Sequence, residues 1–302
     1  MTELANDDRG VIERTETIQT LMPPIPDTHR VDSIPAKHGG RIPVRVFEGR
    51  GGIPVVMLHG LHSHSGWFMR SAAFLASLGC PVYSFDRRGS GLSRESREHV
   101  GLFRDLLDEI DAVVTCATNT HDVEKVHVLG HCLGALPATV FVCDNPRRVA
   151  SLILSTPGIY THVTVPIRRK LRIGALGPLR SKSPIPFPLE PEKLADLETC
   201  RQFIAADDLA VHEVTASFCF SIFSGSWALR RKIRRLRVPT FVALAGKDML
   251  SDNPRTVAFL DRAPAPKRVV TYPEATHILE YSVEKDRFFG DLADWIRQRA
   301  GN

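Results

Sequence analysis

From about residue 28 onward the chain alternates between two hydrophobic rhythms. Ile53 to Gly60, IPVVMLHG, is a continuous apolar run stopped by glycine, which suits a strand buried on both faces of a parallel sheet. GWFMRSAAFLASLG then places apolar residues at helical spacing and ends at Gly79, a predicted C-terminal cap, before PVYSFD returns to strand character. A helix is predicted near Val100 to Thr118, with Leu102, Leu106, Ile110 and Val113 on one face. A strand from Lys125 to Leu129, a helix from about Cys132 to Cys143 and the strand VASLILST follow. Strands alternating with helices of ten or more residues predict an α/β fold built on a doubly wound, mostly parallel sheet.

Two stretches frame or interrupt that rhythm. THRVDSIPA and RIPVRVFEG read as two short strands of an antiparallel edge hairpin, preceded over residues 1–27 by a polar lead-in ending in MPPIP. Between Pro157 and Trp227 the alternation dissolves into Pro-rich and helical segments without strand signals. This is expected to be a helical cap inserted into a core of residues 28–156 and 228–302. The chain closes with a strand (Val238 to Ala245), a helix (Pro254 to Asp261), a strand (Lys267 to Tyr272), a loop carrying His277 and an amphipathic helix through Phe288, Phe289, Leu292 and Trp295.

Composition adds bounds. At 302 residues and 43% hydrophobic content the chain can bury one large core. The opening MTELANDDRG has no basic flank followed by an apolar stretch, and no run approaches the roughly 18 apolar residues of a membrane span, so a cytoplasmic location without a span is expected. Six scattered cysteines form no paired zinc framework, and free thiols are expected. The net charge of +5 is mild, but it concentrates at Arg168, Arg169, Lys170 and Arg172, and again from Arg230 to Arg237. No helix-turn-helix, zinc-finger or stacking signature accompanies those residues, so no nucleic-acid partner is expected.

The chemistry centres on Gly130-His131-Cys132-Leu133-Gly134, which follows a predicted strand and opens a helix. In that context the glycines allow a turn too tight for side chains, and the central residue is pushed to the helix N-terminus, where backbone amides and the dipole favour an anion. A cysteine that merely tolerates a tight corner is the plainer alternative. Asp248 in ALAGKDML and His277 in EATHILE each follow a strand, where a parallel sheet gathers catalytic groups. The order nucleophile, acid, histidine suits three expected catalytic roles, against the plainer readings of Asp248 as a helix cap or turn former and His277 as an exposed loop residue. His277 removes the thiol proton, or holds a thiolate-imidazolium pair, and later protonates the leaving group, while Asp248 steadies the imidazolium. The amides of Leu61 and Leu133 are the expected oxyanion hole. His59 is more naturally a structural hydrogen-bonder than a base. His62 and His64 form an H-x-H pair with no further ligand to complete a metal site, and neither metal nor cofactor is expected.

The strings VVMLHG, SFDRRGSGLS, GHCLG, LAGKDML and ATHILE resemble the landmarks of α/β-hydrolases, particularly the monoglyceride lipase and lysophospholipase group, from about Arg41 to the C-terminus. The resemblance implies that Asp86 and the glycines of SFDRRGSGLS are structural. The departure is the cysteine. Dienelactone hydrolases and polyhydroxyalkanoate synthases are similar in placing Cys at this position, so the substitution does not imply a dead enzyme.

Sulfur is a strong nucleophile and a good leaving group, which suits ester, thioester or lactone substrates over amides. The leading expectation is a hydrolase of carboxylic esters or thioesters through an acyl-Cys132 intermediate. An acyltransferase using the same intermediate and a non-catalytic ligand-binding protein are the alternatives. Substrate contacts are expected from His59, Gly60 and His131 at the strand ends and from Phe218, Phe223 and Trp227 in the insertion, although such rings also serve as a segment's own core. The basic clusters suit a phosphate-bearing carrier, coenzyme A or a carrier protein's prosthetic arm, against the plainer reading of a solvated charged helix.

Overall fold

The computed structural model describes residues 29–37, 39–93, 102–163 and 165–299. The lead-in expected over residues 1–27 therefore lies outside the described residues. In chain order the elements open with β1 (His29–Pro35), β2 (Arg41–Phe47), β3 (Val55–Leu58), α1 (Met69–Ser77), β4 (Val82–Phe85) and α2 (Phe103–His121). They continue with β5 (Val126–His131), α3 (Ala135–Asp144), β6 (Val149–Ser155), α4 (Ile167–Leu176), β7 (Pro184–Pro186), α5 (Pro191–Leu194) and α6 (Glu198–Ala205). The last are β8 (Glu213–Thr215), α7 (Ala216–Lys232), β9 (Thr240–Ala245), α8 (Asn253–Leu260), β10 (Lys267–Tyr272) and α9 (Lys285–Arg297). Among the described residues no helix is long and apolar enough to cross a membrane.

Eight strands form one sheet in the order β1-β2-β4-β3-β5-β6-β9-β10. β1 and β2 are antiparallel and β2 runs antiparallel to β4, while the remaining neighbours are parallel. The two-fold alternation of a strand explains the apolar runs. Val56 and Leu58 of β3 join the core beneath α2 and α3, and Val55 and Met57 join the core beneath α1 and α9. The chain leaves β3 for β4 on one side, then returns to β5 on the other, so the ends of β3 and β5 meet where the strand order reverses. Open α/β sheets place their sites in that crevice.

Local chemistry sets the element ends. Gly79 closes α1 with φ +96°, a left-handed conformation that favours glycine. The helix expected to begin at Gly66 is a short 3-10 turn, Ser65–Phe68, followed by α1. The helix expected from about Val100 begins at Phe103, and the one expected from Cys132 is a 3-10 turn, Cys132–Gly134, leading into α3. The insertion was expected to lack strands, yet β7 pairs antiparallel with β8. With only three residues each, those strands are too short for alternation to show in sequence. The expected edge at Trp227 falls inside α7.

Candidate active site

Cys132 stands at the corner between β5 and α3 with φ +49°, half-buried. A non-glycine residue is held in that region only where its surroundings enforce it, at a cost of order 1–3 kcal/mol. Here the enforcement is steric. A Cβ on Gly130 would lie 2.7 Å from Ala135 Cα, and one on Gly134 would lie 2.6 Å from the carbonyl oxygens of both Leu58 and His59. The two glycines thus let α3 start directly against the end of β3. Burial raises the thiol pKa of Cys80, Cys143, Cys200 and Cys219, to about 11 for Cys80, about 12 for Cys143 and about 11 for Cys219.

The turns after β9 and β10 bring in the other two groups. Gly246 donates its N–H to Tyr272 C=O at 2.7 Å and Lys247 to Ala275 at 3.0 Å, which ties the two strand-end loops together. His277 Nδ1 lies 3.0 and 2.9 Å from the two oxygens of Asp248. Oδ1 of the same carboxylate accepts the N–H groups of Leu250 and Ser251 at 2.8 and 2.9 Å. His277 Nε2 is buried without a well-formed hydrogen bond. Burial opposes charge on this imidazole, but the Cys132 sulfur, then the Asp248 carboxylate, outweigh it and raise its pKa to about 10. Burial likewise opposes charge on Asp248, and His277 overrides it to hold the carboxylate below its usual range. The three groups are therefore one electrostatic unit.

The loop after β3 is shaped by two side chains. His59 Nδ1 sits 2.9 Å from Gly60 C=O, and its Nε2 accepts the N–H of Arg87 at 3.1 Å, so the Nδ1–H tautomer is required. Burial foremost, with Arg87 second, pushes its pKa down to about 3 and keeps it neutral. The buried Arg87 guanidinium donates to Leu61 C=O at 2.7 Å and approaches Gly60 C=O at 3.4 Å. In a planar trans peptide the N–H opposes the C=O. Holding the Gly60 carbonyl toward His59 and Arg87 therefore turns the Leu61 N–H the other way. Gly60 also comes close to Cys132, since a Cβ there would be 3.1 Å from Cys132 Cβ. The Leu133 amide follows Cys132 in the 3-10 turn.

The remaining residues singled out in the sequence are distributed as follows. His131 is buried with its ring 5.3 Å from that of His277 and 4.7 Å from that of Phe68. Burial, and secondarily His277, push its pKa well down, so it packs beside His277 without adding charge. Both ring nitrogens of His59 are occupied by backbone, which leaves them no free position for a substrate. Phe218 is buried in the core with Arg87 5.1 Å above its ring, packed rather than facing a ligand space. Phe223 and Trp227 are exposed and line a cavity with Tyr160 and Phe259. His62 and His64 take different partners. His62 Nδ1 lies 2.6 Å from Val211 C=O and its own carbonyl accepts the Val211 N–H at 2.9 Å, while His64 Nε2 lies 2.8 Å from Asp207. These bonds tie the insertion to the loop that carries Leu61. Asp86 accepts from Ser65 and Leu92 backbone and pairs with Arg45 at 3.6 Å, a structural role.

Sequence reasoning missed Arg87 and Asp207. The doubled arginine in DRRG is the one available signal for the first, and it does not say which arginine turns inward. Nothing local marks Asp207 as a partner for a histidine 143 residues away.

The chain matches the family described as serine aminopeptidase, S33, over residues 53–284. It is 25% identical over 249 residues to a monoglyceride lipase homolog of monkeypox virus, covering 81% of this chain and 89% of that protein. Human monoglyceride lipase is 22% identical over 258 residues, covering 81% and 82% respectively. A soluble variant of monoglyceride lipase from Saccharomyces cerevisiae, solved with a substrate analog, superposes with a TM-score of 0.79 at 17% identity, covering 93% of this chain and all of that one.

Proposed function

The chain belongs to the serine aminopeptidase S33 family and to the monoglyceride lipase group of α/β-hydrolases, and from that premise we propose that it hydrolyses carboxylic esters or thioesters through an acyl-Cys132 intermediate. The observation that carries this reading is the cysteine held at φ +49° on the strand-to-helix corner, electrostatically coupled to a buried His277 whose other nitrogen is anchored by Asp248.

In this mechanism the Cys132 sulfur attacks the substrate carbonyl carbon after His277 Nε2 has taken its proton. The C=O pair moves onto oxygen, where the amides of Leu61 and Leu133 stabilise the oxyanion. Collapse restores the carbonyl and expels the alcohol or thiol, which takes the proton back from His277. Water, deprotonated by the same imidazole, then attacks the thioester and releases the acid and the free thiol. The family description specifies serine, and this chain presents sulfur, so its acyl-enzyme is a thioester. That intermediate is also open to attack by an alcohol, amine or thiol, which makes acyl transfer the second reading. The insertion acts as a cap, fastened to the loop bearing Leu61 through His62 and His64.

Intact-mass measurement after incubation with a panel of acyl thioesters and activated esters tests the proposal. One acyl increment on Cys132 is expected, absent in Cys132→Ala, together with loss of turnover in that variant. Full turnover by Cys132→Ala would sink the mechanism, and added acceptors that divert product from free acid would favour transfer over hydrolysis.

A further inference from the structure

A cavity beside α7 takes no part in the acyl chemistry. It measures about 170 Å³ and lies between α7 and the turn after β6, walled by Ile159, Tyr160, Phe223, Trp227, Arg230 and Phe259. Phe223 and Trp227, one helical turn apart, are 68% and 57% exposed, an unusual outlay of aromatic surface to water on a single helix face. Around these rings stand guanidinium groups. Arg231 Cζ is 4.3 Å from the Trp227 ring centroid, and those of Arg255 and Arg230 are 4.7 and 5.6 Å from that of Tyr160. Arg255 pairs with Asp252 at 3.7 Å, whereas among the described residues no carboxylate stands within ion-pair distance of Arg230 or Arg231.

Ring faces interleaved with unpaired guanidinium forks are complementary to a ligand that is planar at one end and polyanionic beside it. The rings stack on the planar part, and each fork takes two phosphate oxygens at once. A fatty chain would use the rings and leave the forks idle, and a simple anion would do the reverse. The cavity wall is joined to the corner at Cys132 through the backbone. Gly158 donates its N–H to Cys132 C=O at 2.9 Å, and Ile159 and Tyr160 follow it directly into the cavity wall.

We infer that this cavity binds the phosphorylated nucleotide end of an acyl-thioester carrier of the coenzyme A kind, leaving its thioester to reach Cys132. The inference rests on the acyl-cysteine reading for the far end of the ligand, while the recognition itself is a property of α7 and the Tyr160 turn.

The test separates the two. Cys132→Ala protein, which has no thiol to acylate, is titrated with coenzyme A, adenosine 3′,5′-bisphosphate and inorganic phosphate while tryptophan fluorescence is followed. Trp67 and Trp295 are 1% and 2% exposed, so quenching reports Trp227. Saturable quenching by coenzyme A and the bisphosphate below about a millimolar is expected, with none by inorganic phosphate. Adding Arg230→Ala and Arg231→Ala is expected to weaken binding by about tenfold or more, because charge-assisted bonds are lost, and Arg230→Lys with Arg231→Lys to restore only part, since lysine keeps the charge without the fork. Thermal midpoints of these variants show whether each remains folded. No saturable quenching by coenzyme A, equal affinity in the double alanine variant, or phosphate binding as tight as coenzyme A would overturn the inference. In parallel, wild-type protein is incubated with a short acyl thioester lacking phosphates. Absence of a Cys132 adduct there counts against the acyl-cysteine reading alone.

Discussion

Asp248 grips His277 Nδ1 with both carboxylate oxygens, at 3.0 and 2.9 Å, and is itself pinned by the amides of Leu250 and Ser251. The carboxylate cannot turn away, and its charge holds the Nδ1–H against it, leaving Nε2 as the nitrogen that exchanges a proton in the proposed mechanism. Asp248→Asn would present an amide that no longer makes that selection. Turnover of an activated ester is expected to fall by about 10³- to 10⁴-fold, with circular dichroism unchanged. A loss of less than about tenfold would mean that His277 works without Asp248.

The raised pKa of His277 has a consequence for stability. Its folded value of about 10 exceeds the ordinary 6.5, so the folded state binds the proton more tightly than the unfolded chain. The stabilisation is complete below about pH 6.5 and is lost as pH rises toward about 10. Urea midpoints of the wild-type protein should decline across that window. The decline should be smaller in Cys132→Ala, which removes the leading favourable cause, and ring resonances should show the imidazolium of that variant titrating at lower pH. Identical slopes in the two proteins would contradict the coupling.

Gly134 is fixed by backbone it cannot displace. A Cβ there meets the carbonyl oxygens of Leu58 and His59 at 2.6 Å, both at the end of a central strand. Gly134→Ala is expected to destabilise by roughly 3 kcal/mol, at the upper end for forced overpacking, read from denaturant midpoints. Gly290→Ala, inside α9 with nothing within 4 Å of its added Cβ, is the control and should leave the stability unchanged or raise it by up to about 1 kcal/mol through helix propensity.

In the proposed mechanism Arg87 orients the peptide that presents the Leu61 amide without touching the reacting atoms, which makes it a positioning residue. Arg87→Met keeps much of the stem's length over Phe218 and removes the donors to Gly60 and Leu61. A fall in kcat of about ten- to a hundredfold is expected, less than for loss of an oxyanion donor itself, with KM changed far less. A purely structural role would instead lower the melting temperature and leave kcat per folded molecule intact.

How much of this was written locally can be judged residue by residue. The continuous apolar run of β3 announces a strand buried on both sides, because each face of a parallel sheet is covered and leaves no polar side to alternate. Gly130 and Gly134 announced the corner at Cys132, since a close backbone approach leaves no room for a Cβ and that requirement is visible within five residues. The positions of Asp248 and His277 are legible as strand-end loops because each follows directly on a strand segment. Phe218 and Phe223, five residues apart on α7, look alike in sequence, yet one is buried under Arg87 and the other exposed beside a cavity. Which side of that helix meets α2 and α3 depends on how the insertion lands.

By itself, then, the sequence determined the alternation of strand and helix, the tight corner and the residue types at the strand ends, because periodicity and glycine spacing act between near neighbours. Only the tertiary structure decided that His277 meets Asp248 across 29 residues, that His64 meets Asp207 across 143, and that the inner arginine of DRRG holds the Leu61 loop. Those relations arise when the sheet stacks distant strand ends side by side, and burial there sets both the charge states and the directions in which hydrogen bonds can point.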